Sequence, residues 1–204
     1  MSRIPLPSPD SMTDDQKRVY EKIVSGPRGR LVGPLRAALH NPELAERWQA
    51  LGALLRFGTS LPSRVSELAI VVTARRWNSQ IEWYIHAQAA RAAGISDAVL
   101  DAIQARALPV FDTRDDEVVY EFARQLQETG QVEPALYAQA VERWAAVGVV
   151  ELTAVIGYYT MVSMTLNVHE IPMPDDAPAP LDTPREQDQP ALSAMAPLAR
   201  KEPS

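Results

Sequence analysis

Apolar residues recur at three- and four-residue spacing along almost the whole chain, and a proline, glycine or capping residue interrupts them every ten to twenty positions. That rhythm leaves no room for an extended sheet, whose strands would alternate apolar and polar residues with a period of two. The expected fold is all-α. With 204 residues, 46% hydrophobic and 23% charged, the chain suits one globular domain with a substantial core.

The punctuation predicts where the helices begin and end. Thr13-Asp14-Asp15 caps a helix reaching about Val24, and a break rich in turn residues follows, from Gly26-Pro27-Arg28-Gly29 to Gly33-Pro34. Asn41-Pro42-Glu43 opens a helix that runs through Trp48, Leu51 and Leu54 to Phe57, with proline at its first position. Leu61-Pro62-Ser63 opens the next, Asn78-Ser79 the one after, and Gly94 closes that one. A short helix starts at Asp97. Two amphipathic helices follow, Asp115 to Glu128 and Glu133 to Ala146, and then an apolar segment, Val149 to Val168, expected to be the most buried helix.

From Ile171 the composition changes, because eight of the 17 prolines fall in the last 34 residues among Ala, Asp, Gln and Ser. Such a sequence buries too little apolar surface to offset its ordering entropy. The expectation is a helical domain over 1–174, with an arm near Pro172-Met173-Pro174, and a disordered Pro-rich tail over 175–204.

Composition narrows the function classes. A net charge of −6 without a basic stripe argues against nucleic acid as a partner. The chain has no cysteine, so disulfides, thiolate metal sites and thiol redox chemistry are all excluded, and any catalysis uses oxygen and nitrogen groups. No signal-peptide core precedes the first helix, and the apolar stretches are read as too short for a membrane span, which makes a cytoplasmic protein with no membrane partner the expectation.

One cluster carries chemistry. Ser79, Glu82 and His86 stand at spacings that place them on one helical face, and Glu67 lies 19 residues before the histidine on the preceding helix. If the chain reverses near Trp77, residues 67 and 86 are equidistant from the reversal, and antiparallel packing sets them at the same height. Two carboxylates and an imidazole among Leu, Ile, Val and Trp are costly to bury unless they pair or react.

Structural readings stand beside this one. Ser79-Gln80-Ile81-Glu82 fits a capping box, in which the serine oxygen accepts from the third helical amide and the glutamate returns to the serine amide. His86 fits a core histidine satisfied by a neighbouring carboxylate, and Glu67 a buried partner of Arg64, Arg75 or Arg76. Trp77, Trp83 and Tyr84 suit packing as well as substrate binding, and Arg30 suits either an anion contact or ordinary surface. A metal held by Glu82, His86 and His169 is a further option, with the third ligand remote in sequence; the favoured reading has no metal and no cofactor.

The segment HNPELAERWQALGALLRFGTSLPSRVSELAIVVTARRWNSQIEWYIHAQAARAAGIS resembles the carboxymuconolactone decarboxylase family, which includes the alkyl hydroperoxidase D proteins. The similarity extends from about Ile4 to Pro174 and includes Tyr158-Tyr159-Thr160-Met161-Val162-Ser163-Met164-Thr165-Leu166-Asn167. In redox members of that family a glutamate precedes two cysteines three apart, with a histidine four residues after the second. Glu67 matches the glutamate, Ser79 and Glu82 occupy the cysteine positions, and His86 matches the histidine.

The resemblance implies a single-domain orthogonal helical bundle of the alkyl hydroperoxidase D type that assembles into dimers, trimers or hexamers. With both sulfur positions lost, it implies no thiol peroxidase or disulfide-relay activity. What it leaves is the acid–base chemistry of the cofactor-independent decarboxylating members, with His86, Glu82, Glu67 and Ser79 as catalytic candidates and Trp83, Tyr84, Trp77 and Arg30 as candidates for contacting a small-molecule substrate. The competing implication is an oligomeric binding protein without catalysis, or a related isomerase or hydrolase.

Overall fold

The computed structural model describes residues 2–26, 29–31, 33–174, 177–181 and 191–196. Among them are eight helices and no strand: α1 (Asp14–Ser25), α2 (Pro34–Ala38), α3 (Pro42–Phe57), α4 (Ser63–Arg76), α5 (Gln80–Ala92), α6 (Asp97–Gln104), α7 (Arg114–Thr129) and α8 (Pro134–Val168).

Local chemistry accounts for most of these boundaries. Thr13 and Gln16 form a reciprocal capping box at the start of α1, the Gln16 amide donating to Thr13 Oγ1 and the Thr13 amide to Gln16 Oε1. Asn41 caps α3 through the Leu44 amide at 3.1 Å, ahead of Pro42. Thr113 caps α7 in the same way, and Gly130, in the left-handed region at φ 73°, ends it.

The reversal between α4 and α5 matters most for the site. Asn78 adopts φ 50°, the Ser79 amide donates to the Ala74 carbonyl at 2.8 Å, and the chain turns within three residues. This is the six-to-one bond that terminates a helix through a left-handed residue, a conformation asparagine tolerates better than most side chains. The two helices therefore leave the turn antiparallel.

Helix α4 is the spine of the bundle. Every residue from Leu68 to Arg75 is buried, and α4 packs against α5, α6, α7 and α8. One apolar cluster joins α4, α5, α6, α7 and the first half of α8 around Leu68, Val72, Tyr120, Phe122 and Leu152. A second joins α1, α2, α3 and the second half of α8 around Val19, Leu35, Leu39, Trp48 and Tyr159. Ile70 and Ile81 carry α4 and α5 into this second cluster, at whose edge the site lies.

Three expectations need correction. The helices expected over 133–146 and 149–168 form one run, Pro134–Val168, broken only at Ala145, which leaves helical geometry at φ 53°, ψ 179°. Gly148 permits the close approach there, since a Cβ on it would lie 2.5 Å from Trp144 Cβ. This helix is long and apolar enough to cross a membrane by length and composition, contrary to the reading that no segment approaches a span; here it packs as the core helix against α2, α3, α4 and α7. The turn-rich break also hides α2, a short helix entered through Gly33 at φ 56° and Pro34 at its first position.

Ala145 invites a direct test. An exposed alanine in a region that only glycine occupies readily costs about 1–3 kcal/mol. Ala145→Gly is expected to stabilise the fold by about 1 kcal/mol in urea unfolding, after allowance for the flexibility glycine adds to the unfolded chain.

Where the expected tail is described, it lies on the domain. Leu181 and Leu192 are buried in the first cluster; Gln80 exchanges two hydrogen bonds with the Leu181 backbone, and Tyr120 Oη donates to the Ser193 carbonyl at 2.8 Å. Composition alone concealed these isolated leucines among prolines. Residues 175, 176, 182–190 and 197–204, on which the rest of that expectation falls, lie outside the described residues.

Candidate active site

The sharp turn at Asn78 brings Glu67 on α4 level with His86 on α5, and the α-helical repeat sets Glu82 one turn before His86. His86 Nδ1 lies 2.7 Å from Glu67 Oε2, and Nε2 lies 3.3 Å from Glu82 Oε2. The imidazole is only 3% exposed. Both ring edges are thus engaged by carboxylates, one from each helix.

Burial by itself pulls the imidazole pKa down, because a charge is costly away from water. The hydrogen bonds to Glu67 and Glu82, with their negative charges, outweigh it and raise the pKa from 6.5 to about 9. At neutral pH His86 is an imidazolium donating from Nδ1 to Glu67 and from Nε2 to Glu82.

Helix α8 closes the site from the other side. The Tyr159 ring meets the imidazole edge-on with centroids 4.8 Å apart, Tyr158 stands 5.3 Å from Tyr159, and Trp48 on α3 lies 6.5 Å beyond Tyr158. Burial, followed by the nearby Glu82 charge, pushes the Tyr159 hydroxyl well above its usual range, which keeps it neutral. Glu82, His86, Tyr158, Tyr159 and Arg56 line a small cavity of about 40 Å³, enough for a water molecule or two.

The structure sorts the sequence candidates. Glu67, Glu82 and His86 converge. Ser79 stands at the start of α5 with no exposed surface, but its hydroxyl has no partner, so the capping box is not formed, and Glu82 turns to His86 instead. A carboxylate that satisfies a buried imidazolium gains more than one that returns to a helix-start amide.

Arg64, Arg75 and Arg76 are not the partners of Glu67. Arg64 makes a two-point ion pair with Asp116, Arg75 Nε donates to the Gln104 carbonyl, and Arg76 pairs with Glu128. Trp83 is buried in the first apolar cluster, and Trp77 caps the end of α4 with its indole donating to Gln127 at 2.9 Å; neither lines the small cavity or the larger one beside it. Tyr84 and Arg30 line the larger one.

His169 ends α8, with its carbonyl accepting from the Arg3 amide, and no group of three or more His, Asp or Glu among the described residues is arranged to hold an ion. The sequence reading passed over Tyr158, Tyr159, Arg56 and Arg36. Adjacent tyrosines inside an otherwise apolar helix were the available signal, since a buried phenol needs a polar neighbour.

No protein-family model and no curated protein matches the chain. Among solved structures it is similar to an alkylhydroperoxidase AhpD core, an uncharacterized peroxidase-related protein from Ralstonia eutropha JMP134. That match has a TM-score of 0.69 and 16% identity, and covers 86% of this chain and 93% of the other. It is also similar to an uncharacterized peroxidase-related protein from Silicibacter sp. TM1040, with a TM-score of 0.66 and 18% identity over 83% of this chain and 90% of that one. The helical bundle that gathers Glu67, Glu82 and His86 therefore has the fold of the alkylhydroperoxidase AhpD core.

Proposed function

We propose that the protein is a cofactor-independent acid–base catalyst, a carboxy-lyase of the carboxymuconolactone decarboxylase kind, acting on a small carboxylated lactone or related intermediate of aromatic catabolism. One observation carries this reading: a buried imidazolium clamped between two carboxylates, with Glu82 and His86 on the wall of a cavity. In the proposed step the bond from carbon to the departing carboxylate breaks, carbon dioxide leaves, and the electron pair passes into an enolate. The proton on Nε2 is then delivered to carbon, while Glu67 on Nδ1 holds the ring in place. Without cysteine the chain has no thiol with which to reduce a peroxide.

A second reading, an oligomeric small-molecule-binding protein without turnover, is favoured by the small size of the cavity beside His86. Self-association fits both readings, because Val147, Val150, Met161, Met164 and Val168, spaced 3, 11, 3 and 4 residues apart, are exposed apolar positions on one face of α8. Reaction in deuterium oxide separates the two. With a γ-carboxylated lactone as substrate, catalysis incorporates one deuterium at carbon for each carbon dioxide released; a protein that binds the lactone yet releases no carbon dioxide above the uncatalysed rate is the second kind.

A further inference from the structure

Beyond the small cavity lies a larger, open one of about 570 Å³. The two share a wall, since Gly33 and Ile85 line both. Ile85, one residue before His86, lines both cavities and so stands between the outer one and the one that Glu82 and His86 line. The outer cavity is large enough for a compound of ten to fifteen heavy atoms on the order of size typical for ligand sites.

Its lining is unusual for this chain. Arg30 and Arg36 face it, and among the described residues no aspartate or glutamate does, although the protein as a whole carries six more negative than positive charges. Neither guanidinium has a hydrogen bond or ion pair with another described residue, whereas Arg64, Arg76 and Arg124 all spend theirs on carboxylates. Arg36 is half-buried and held on α2 between buried Leu35 and Ala37, which fixes its direction better than an exposed side chain's. Ile81, Leu31 and Met173 supply an apolar surface, and Tyr84 and Gln88 add polar groups.

We infer that this outer cavity binds an organic anion with an apolar body, its carboxylate on Arg36 and Arg30 and its apolar part against Ile81 and Met173, facing across Ile85 toward Glu82 and His86. This deepens the reading proposed above and rests on it only for the role of the bound group. The anchored carboxylate is the one the reaction leaves in place. Two positive charges recognising a planar anion is what guanidinium groups do best.

Binding can be tested without knowing the substrate. Phenylacetate and its neutral isostere phenylacetamide are titrated against the full chain by chemical-shift or calorimetric measurement. The acid is expected to bind about ten- to a hundredfold more tightly than the amide, with affinity falling as salt rises. Arg36→Met should remove most of that preference and leave the amide unaffected, and Arg36→Lys should keep part of it. Equal affinity of the two probes for the unmodified protein overturns the inference, and so does an unchanged preference in folded Arg36→Met. The comparison of acid with amide needs no variant, so a misfolded substitution does not decide the matter. Turnover plays no part in these readings: an acid preference in a protein that releases no carbon dioxide sustains the anion site and removes the catalytic role.

Discussion

His86→Gln is expected to lower turnover of a carboxylated lactone by about 10²–10⁴ while substrate affinity changes little, because a positioned proton donor contributes in that range to the transition state and little to ground-state binding. Glutamine can occupy the space and donate to one carboxylate, but it has no proton to give up. The loss should therefore appear in kcat. A loss confined to KM would place His86 in substrate holding and leave the proposed proton transfer without its donor. Activity is to be expressed per folded molecule, since the substitution also leaves Glu67 and Glu82 facing one another without the cation between them. Glu82→Gln, which removes the carboxylate that shares the cavity wall with His86, should fall in the same direction.

The same cation makes folding stability depend on pH in a defined window. The folded-state pKa of His86 is raised from 6.5 to about 9, so the folded protein holds this proton more tightly than the unfolded chain does. Its stabilising contribution is then fully present below pH 6.5, declines as pH rises, and is lost above about 9. Its size is on the order of 3 kcal/mol. Urea unfolding at pH 6, 7.5 and 9 should show this decline in the unmodified protein and a nearly flat profile in His86→Gln. The window is free of Tyr120 and Tyr159: Tyr120, pushed up to about 12, and Tyr159, pushed up further, withdraw stability only above the ordinary tyrosine value of 10. Parallel profiles for the two proteins would falsify the charged imidazole.

Much of the fold was legible because helix ends are local events. Thr13 and Asn41 announce their helices through hydrogen bonds spanning three residues, and Gly94 closes its own through backbone freedom. The convergence of Glu67 with His86 was legible for a related reason. It needs only a tight reversal midway between them, which Asn78 supplies, and regular helices on either side. The choice between a capping box and a site at Ser79 was not legible, because the motif states which bonds can form locally and says nothing of a competing imidazolium for Glu82. The burial of the leucines at 181 and 192 was hidden for a similar reason, since composition averages over single residues that the core takes up.

By itself, then, the sequence determined the helical segments, the antiparallel pairing of α4 with α5, and the meeting of one imidazole with two acids, all of which follow from interactions between residues near in the chain. The tertiary structure alone decided what surrounds that trio. Tyr159 against the ring, Arg36 on the outer cavity and the thin wall of Gly33 and Ile85 arise where α2, α5 and α8 pack together. Such walls are the sum of side-chain volumes from segments more than a hundred residues apart, and no local pattern of caps or periodicity encodes how those volumes fit.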